Sequence, residues 1–390
     1  MYTSAGNDKG WRMAREMEAN EMYLAAFDGL LPEIVDLRNP DEAAAQPLEM
    51  PRAVPVRQAA LWHVLDDPKG FATQIPSGAV LVCAHGNGSA MVADELAEHG
   101  LTVCSLAGGA QAWSELLIPR ELPLPDAAVR TWQFLRPAKG CLSYLIGVPG
   151  EGCIVIDPAR HFSGYLELAA AHDMTLTHVV DTHLHADHIS GGPALAAQAG
   201  AKYSLPEEDS GSVPWPTTLL SDGESLHMGA GATADVMALH LPGHTPGTTA
   251  VSIRNVLVAV GDTVFVRGVG RPDLTGHAED LALQLFDSVR ERLGALSPDT
   301  LLLPAHWSSS EEISPAGTVS TTLGAVMAAD LLAGLDARAF VERVLASLPA
   351  APASYDRMRA INAGSAATEE EQQQLEVGRN QCAAAGTVRA

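Results

Sequence analysis

Short apolar runs separated by helical and polar stretches fill the first third of the chain. Ile34-Val35-Asp36-Leu37, Ala79-Val80-Leu81-Val82-Cys83 and Leu101-Thr102-Val103-Cys104-Ser105-Leu106 each have the length of one strand. Strands alternating with helices build a parallel α/β sheet, and a helix through Met91 and Leu96 is predicted directly after Cys83. The run Ile118-Pro119-Arg120-Glu121-Leu122-Pro123-Leu124-Pro125 then carries three prolines. Proline removes the helix donor and favours extended chain, so this run is expected to be a spacer.

Past the spacer the pattern changes. Residues 143–146 and 153–156 form an expected hairpin around Gly147-Val148-Pro149-Gly150-Glu151-Gly152. Further strands are predicted over 177–180, 234–241, 251–260 and 300–303, each ending at a polar or Gly/Pro cluster. Ala282, Leu285, Phe286, Val289 and Leu293 mark one helix face. After Gly364 the chain turns to Glu, Gln and Ala without an apolar period, which predicts fraying. The expected division is an α/β domain over 13–118, a Pro-rich linker over 119–128, a mixed α/β domain over 129–312, its extension over 313–363 and a flexible tail over 364–390.

Composition narrows the function. A length of 390 residues suits two domains, and 47% hydrophobic residues with 35 Gly and 25 Pro exclude repeat, fibrous and disordered classes. Against 24 Lys+Arg stand 47 Asp+Glu, a formal charge of -23, which repels polyphosphates and anionic headgroups. Neither nucleic acid nor a membrane surface is therefore expected as a partner. No run approaches the roughly 20 apolar residues of a membrane span, and the first residues lack a basic-then-apolar signal pattern, so the expected location is cytoplasmic. The five cysteines are odd in number and scattered, which argues for reduced thiols, one of them free to react.

The densest chemistry lies just after a predicted strand. Asp181-Thr182-His183-Leu184-His185-Ala186-Asp187-His188 offers four potential ligands, His183, His185, Asp187 and His188, within six residues. Alternation lets His183 and His185 converge, and the next turn brings Asp187 and His188 around a second position. Pro242-Gly243-His244-Thr245-Pro246-Gly247, Gly261-Asp262-Thr263 and Pro304-Ala305-His306 also follow predicted strands. Four such clusters at strand ends point to one convergent metal site. The other nine of the 14 histidines, His240 among them, read as ordinary surface, core or strand residues.

HxHxDH followed by PGHTPG, GDT and PAH resembles the metallo-β-lactamase superfamily over about 129–310. That resemblance implies a four-layer αβ/βα sandwich with metal at the sheet edge. Gly261-Asp262-Thr263-Val264-Phe265-Val266-Arg267-Gly268-Val269-Gly270-Arg271-Pro272-Asp273-Leu274 is similar to the persulfide dioxygenase, or sulfur dioxygenase, branch. So is the segment from Ser320-Thr321-Thr322-Leu323-Gly324 to Ala360-Ile361-Asn362. The branch implies one Fe(II) per chain held by His183, His244 and Asp262, with His185, Asp187, His188 and His306 in supporting positions. It implies oxidation of a small thiol persulfide, such as glutathione persulfide, by O2 to sulfite and thiol. Arg267 or Arg271 is a candidate for holding a carboxylate of the thiol carrier, against the alternative of a loop salt bridge. The same seven residues suit two Zn2+ ions in a glyoxalase II-like thioester hydrolase, because ligand identity alone does not choose the metal.

In the first domain Cys83-Ala84-His85-Gly86-Asn87-Gly88-Ser89 sits between a strand and a helix N-terminus, where backbone N–H groups and the helix dipole favour a thiolate. Cys104, Cys141 and Cys153 read as small buried apolar residues. With Ile34-Val35-Asp36-Leu37-Arg38 before it and Gly108-Gly109-Ala110-Gln111-Ala112-Trp113 after it, the Cys83 loop resembles a rhodanese domain. Cys83 would then accept and pass on sulfane sulfur as a sulfurtransferase. Gly88 stands where that family carries arginine, which weakens anion binding. A third reading is a non-catalytic sulfur relay. The sequence leaves the thiol carrier and any homo-oligomer undetermined.

Overall fold

A computed structural model describes residues 15–124, 128–211, 213–228 and 236–385. The chain divides into two compact units, the boundary falling between Leu116 and Leu117. Residues 13 and 14, where the first domain was expected to begin, lie outside the described residues, as do 234 and 235 at the start of an expected strand.

In the first unit β1 (Arg15–Met17), β2 (Ile34–Asp36), β3 (Val56–Gln58), β4 (Val80–Val82) and β5 (Cys104–Leu106) form one sheet in the order β1-β5-β4-β2-β3. Every pairing in it is parallel. β2, β4 and β5 are buried along their whole length, as strands covered on both faces must be. Val35, Leu81, Val92, Leu96 and Val103 belong to one core that also receives Cys83. At the end of β2, Arg38 closes a bidentate pair on Asp36, Nε to Oδ1 at 2.9 Å and Nη2 to Oδ2 at 2.6 Å.

The second unit contains β6 (Ile118–Leu122), β7 (Arg130–Arg136), β8 (Cys141–Gly147), β9 (Gly152–Ile156), β10 (Thr175–Val180), β11 (Lys202–Pro206), β12 (Thr218–Leu220), β13 (Ser225–Leu226), β14 (Val236–His240), β15 (Thr249–Ile253), β16 (Leu257–Gly261), β17 (Val264–Phe265), β18 (Gly268–Gly270), β19 (Leu301–Pro304), β20 (Thr321–Thr322) and β21 (Ala383–Ala385). A seven-stranded sheet runs β12-β11-β10-β9-β8-β7-β6 and a six-stranded sheet runs β13-β14-β15-β16-β19-β20. Tyr165, Ala169 and Leu195, on the helices Ser163–Ala171 and Gly192–Ala199, share a core with Leu145 and Val155 of the first sheet. Leu285, Val289 and Phe340 do the same against Val258 and Leu302 of the second. The Tyr144 hydroxyl donates to Pro304 O, so the sheets are also joined directly. Each sheet thus carries helices on one face and meets the other sheet through the other face, an α/β sandwich.

Three sequence expectations change. The run 119–128 is not a free spacer, because Ile118–Leu122 pairs antiparallel with β7. Proline is tolerated there because β6 is the edge of its sheet. The single strand expected over 251–260 is a hairpin, β15 and β16, reversing at Arg254 and Asn255 with φ of 50° and 55°. The tail is ordered over its described part, with a helix Glu369–Leu375 and with β21 paired to β18. Its anchor is Glu376, buried against Arg136 and Arg160.

Candidate metal centre

Four sequence clusters meet at strand C-termini of the second unit: 181–188 after β10, His244 after β14, Asp262 after β16 and His306 after β19. Close backbone approach makes this possible. Gly261 has φ +54°, and a Cβ there would lie 2.6 Å from Thr182 Oγ1. A Cβ on Gly270 would lie 1.9 Å from Asp262 O and 3.0 Å from the His244 ring, so only glycine lets this loop run over the site.

One donor atom from each of His183, His244 and Asp262 lies within 4.8 Å of the others, and all three residues are buried. His244 Nε2 is 3.2 Å and His183 Nε2 3.9 Å from Asp262 Oδ2. Neither Nε2, nor either Asp262 oxygen, has a hydrogen-bond partner. Buried polar atoms are almost always paired, so the two Nε2 atoms gathered around Asp262 Oδ2 fit a metal ion. The tautomers agree. His244 Nδ1 is 2.8 Å from Arg271 O, which can only accept, so Nδ1 carries the proton and Nε2 the lone pair. His183 Nδ1 lies 3.0 Å from Thr182 Oγ1, whose own proton goes to Asp157 Oδ2 at 2.9 Å, which leaves the His183 lone pair on Nε2 as well. Burial lowers the pKa of both imidazoles and keeps them neutral. Burial works against the Asp262 anion, but His306 and His244 outweigh it and hold the carboxyl well below its usual range.

The supporting residues fall into two groups. His185 Nε2 turns to Asp157 Oδ1 at 3.1 Å, with Asp181 Oδ1 at 3.6 Å, and these three form a separate buried cluster. Burial disfavours the His185 cation, yet the two carboxylates raise its pKa well above the ordinary value. Asp187, His188 and His306 lie on another side. Asp187 Oδ1 is 3.1 Å from His188 Nδ1, and Asp187 Oδ2 is 3.4 Å from His306 Nε2. His306 Nε2 also stands 3.1 Å from Asp262 Oδ1.

The arginines separate from the site. Arg271 is fully buried, clasping both Asp273 oxygens at 2.7 and 2.9 Å and the carbonyls of Gln381 and Pro349 at 3.0 and 2.8 Å. It is a structural pin for its loop, the salt-bridge alternative to a substrate role, and its carbonyl accepts from His244. Arg267 pairs with Glu311 at 2.8 Å on the surface.

Sequence reasoning missed several residues. Asp157, at φ +51° after β9, joins Thr182 to His185; like Asp262 it follows a strand, and that position was its only local sign. Asp209 accepts from Leu184 N, Thr245 Oγ1 and Gly247 N, tying two site loops together. Asn362 Nδ2 donates to His185 O at 2.9 Å and His188 O at 2.8 Å, while its Oδ1 accepts from Ser190 N at 3.0 Å. Cys141 is no mere filler, since its Sγ is 3.4 Å from Asp187 Oδ2, and Cys382 from the tail gathers with Asp187 and His306.

In the first unit Cys83 Sγ accepts from Gly86 N at 3.1 Å, Ser89 N at 3.2 Å and Ser89 Oγ at 3.3 Å. Burial raises the thiol pKa, but the Ser89 hydroxyl and these N–H groups outweigh it, and the net shift is downward. A Cβ on Gly88 would lie 2.6 Å from Leu61 Cδ1, so an apolar side chain closes the place where the resembled loop carries arginine.

Comparison with known proteins agrees with this geometry. The metallo-beta-lactamase superfamily model matches residues 136–306. The hydroxyacylglutathione hydrolase of Methylococcus capsulatus is 35% identical over 165 residues, covering 42% of this chain and 60% of that protein. This chain thus spans less than two thirds of the hydrolase. Bovine mitochondrial persulfide dioxygenase ETHE1 is 30% identical over 184 residues, covering 46% of this chain and 69% of that protein. Among solved structures, ETHE1 from Myxococcus xanthus superposes with a TM-score of 0.51 at 26% identity, covering 63% of this chain and 98% of that one. With its sandwich and its strand-end cluster of histidines and aspartates, the chain belongs to the metallo-β-lactamase superfamily.

Proposed function

We propose that the protein is a non-haem iron persulfide dioxygenase, with one Fe(II) at His183, His244 and Asp262. The observation that carries this reading is the turn of His185 toward Asp157 and Asp181. It leaves two imidazoles and one carboxylate in the first cluster, the donor set of oxygen-activating ferrous enzymes, and keeps His185 out of the histidine set that a two-zinc reading of the same seven residues needs. Similarity to bovine persulfide dioxygenase ETHE1 over 69% of that protein, and to ETHE1 from Myxococcus xanthus over 98% of that structure, accords with it, as the similarity to hydroxyacylglutathione hydrolase accords with the hydrolase reading.

His183, His244 and Asp262 would hold a ferrous ion, which when bound would supply the activation of dioxygen toward a sulfur substrate. The chain's own residues prepare that place. His183 and His244 present neutral lone pairs, their rings fixed by Thr182 and by the Arg271 carbonyl. Asp262 supplies the anion, and burial of all three keeps bulk water from the donor atoms. The net reaction takes a low-molecular-weight persulfide anion, dioxygen and water to thiol and hydrogen sulfite. The terminal sulfur is oxidised, its bond to the carrier sulfur breaks, and dioxygen accepts the electrons.

The first unit is proposed to be a rhodanese-like sulfur carrier acting through Cys83. Its parallel sheet and the three hydrogen bonds on Cys83 Sγ support the proposal. Without an arginine at position 88 it suits a persulfide donor better than a dianion such as thiosulfate. The protein is proposed to work in the cytoplasm on small thiols and O2.

The test offers the iron-loaded protein two substrates, glutathione persulfide in air and S-lactoylglutathione without oxygen. Persulfide turnover alone supports the proposal. Anaerobic thioester hydrolysis with no persulfide turnover would replace it by the zinc hydrolase. Cys83→Ser with full oxygen uptake would sink a relay-only role.

A further inference from the structure

We infer that Ser105 is a positioning residue for Cys83, acting through the Ser89 hydroxyl to steady the thiolate left behind when sulfur is handed on. The inference rests on the sulfur-carrier role proposed for Cys83 and adds a residue from another strand. Ser105 lies on β5 and Ser89 in the first turn of the helix Asn87–Glu98, and both are fully buried. Their hydroxyl oxygens are 2.9 Å apart. Ser89 Oγ is also 3.3 Å from Cys83 Sγ and 2.9 Å from Gly86 O, while Ser105 Oγ is 3.4 Å from Gly86 O.

A hydroxyl has one proton to donate, so Ser89 serves only one of its three neighbours at a time. Gly86 O already accepts from Ala90 N at 3.0 Å and does not need it. Were Ser89 to donate to Ser105, Ser105 would be left with the long 3.4 Å contact to Gly86 O and the sulfur would lose its hydroxyl. A charged thiolate draws the stronger bond, so the chain runs from Ser105 to Ser89 to Cys83, each bond polarising the next. This matters at release. An incoming thiolate forms a bond to the outer sulfur of the Cys83 persulfide with its own electron pair. The bond from that sulfur to Cys83 breaks, its pair stays on Sγ, and the outer sulfur departs with its proton as a new persulfide. A leaving thiol of lower pKa leaves faster. Among charged groups near the loop, Arg38 is closed on Asp36, His85 Nδ1 faces Gln111 Oε1 at 3.0 Å, and Glu115 takes Gln111 Nε2 at 3.4 Å. The flanking elements add Glu16 on β1, His63 and Asp66 on the helix Leu61–Asp66, and Asp94 and Glu95 on the helix Asn87–Glu98. The strongest influences on the thiol are burial, which raises its pKa, and then the Ser89 hydroxyl and the N–H groups of Ser89, His85 and Gly86, which lower it. Burial raises the other four cysteines, so a thiolate signal at neutral pH belongs to Cys83.

The experiment follows ultraviolet thiolate absorbance against pH in the full chain, taken as the difference from Cys83→Ser. It also follows the rate at which Cys83, preloaded by glutathione persulfide, returns its sulfur to added glutathione. Ser105→Ala is expected to move the midpoint up, by less than Ser89→Ala does, and to slow release severalfold. The double variant should match Ser89→Ala, because Ser105 acts only through Ser89. Ser105→Cys, similar in shape and a weaker donor, gives the same test if the alanine variant does not fold, with a midpoint between those of the unsubstituted chain and Ser89→Ala. An unmoved midpoint in the folded Ser105 variant, or a double variant shifted by the sum of the singles, would overturn the inference. A Cys83 that keeps its lowered midpoint but takes no sulfur from glutathione persulfide would sink the sulfur-carrier reading instead.

Discussion

Replacing Glu376 tests how the C-terminal segment holds the site. Its carboxylate takes Arg136 Nη1 and Nη2 at 2.9 and 3.0 Å, Arg160 Nε at 2.7 Å and Ile189 N at 2.9 Å, directly beside the 181–188 loop. Glu376→Gln keeps the shape but removes the anion shared by buried Arg136 and Arg160, the second of which keeps Glu369. Breaking such a pair from one side costs about 3–5 kcal/mol, while replacing both partners by apolar groups is far less harmful. For a unit of this size that is a fall in Tm of roughly 6–20 °C. The assay is calorimetry of Glu376→Gln, Arg136→Met and the double variant Glu376→Leu/Arg136→Met, following the second unit's transition. The sign with pH is fixed. Burial raises the Glu376 pKa, but the two arginines outweigh it and depress it far below the unfolded value. Its contribution is therefore present above about pH 4.3 and lost as pH falls below that. Glu376→Gln should lose that part of the acid sensitivity. A Tm change under about 2 °C, or a double variant as damaged as the sum of the singles, would refute the reasoning.

Asn362→Ala removes three hydrogen bonds to the backbone of 185–190 without touching a donor atom, so metal affinity should fall by about tenfold, read by competition with a chelator. Unchanged affinity would separate Asn362 from the site. Asp262→Asn keeps the volume but removes the anion between His183 and His244, and metal analysis should find that site almost empty after desalting. Ser89→Ala deletes one hydrogen bond to the Cys83 thiolate. Because that bond lowers the pKa, the pH midpoint of Cys83 alkylation should move up; an unmoved midpoint would separate Ser89 from the thiolate.

Much of the metal centre was legible because its chemistry is concentrated. HxHxDH fits one loop, and His244, Asp262 and His306 each follow an apolar run that reads as a strand. The partners were hidden for a physical reason. Asn362, Glu376 and Cys382 reach the loop from more than 170 positions away, with hydrogen-bond separations of 172 and 187 residues for Ser190–Asn362 and Ile189–Glu376. Periodicity reports only local neighbours, and a tail rich in Glu and Gln reads as solvated until Arg136 and Arg160 are placed beside it. The 251–260 run misled because Arg254 and Asn255 carry the reversal without glycine or proline. For Arg271 the loop salt bridge stood beside the substrate role as an alternative, because a partner two residues on, Asp273, is a pairing that spacing alone does not separate from a free guanidinium.

The central claim is that two histidines and one carboxylate hold iron for oxidation of a persulfide. The most direct measurement is oxygen uptake by anaerobically purified, iron-loaded protein on addition of glutathione persulfide, with sulfite quantified in the same vessel. The account predicts uptake of about one dioxygen per sulfite, abolished in Asp262→Asn. Verified iron with no oxygen uptake, alongside anaerobic hydrolysis of a glutathione thioester, would contradict it.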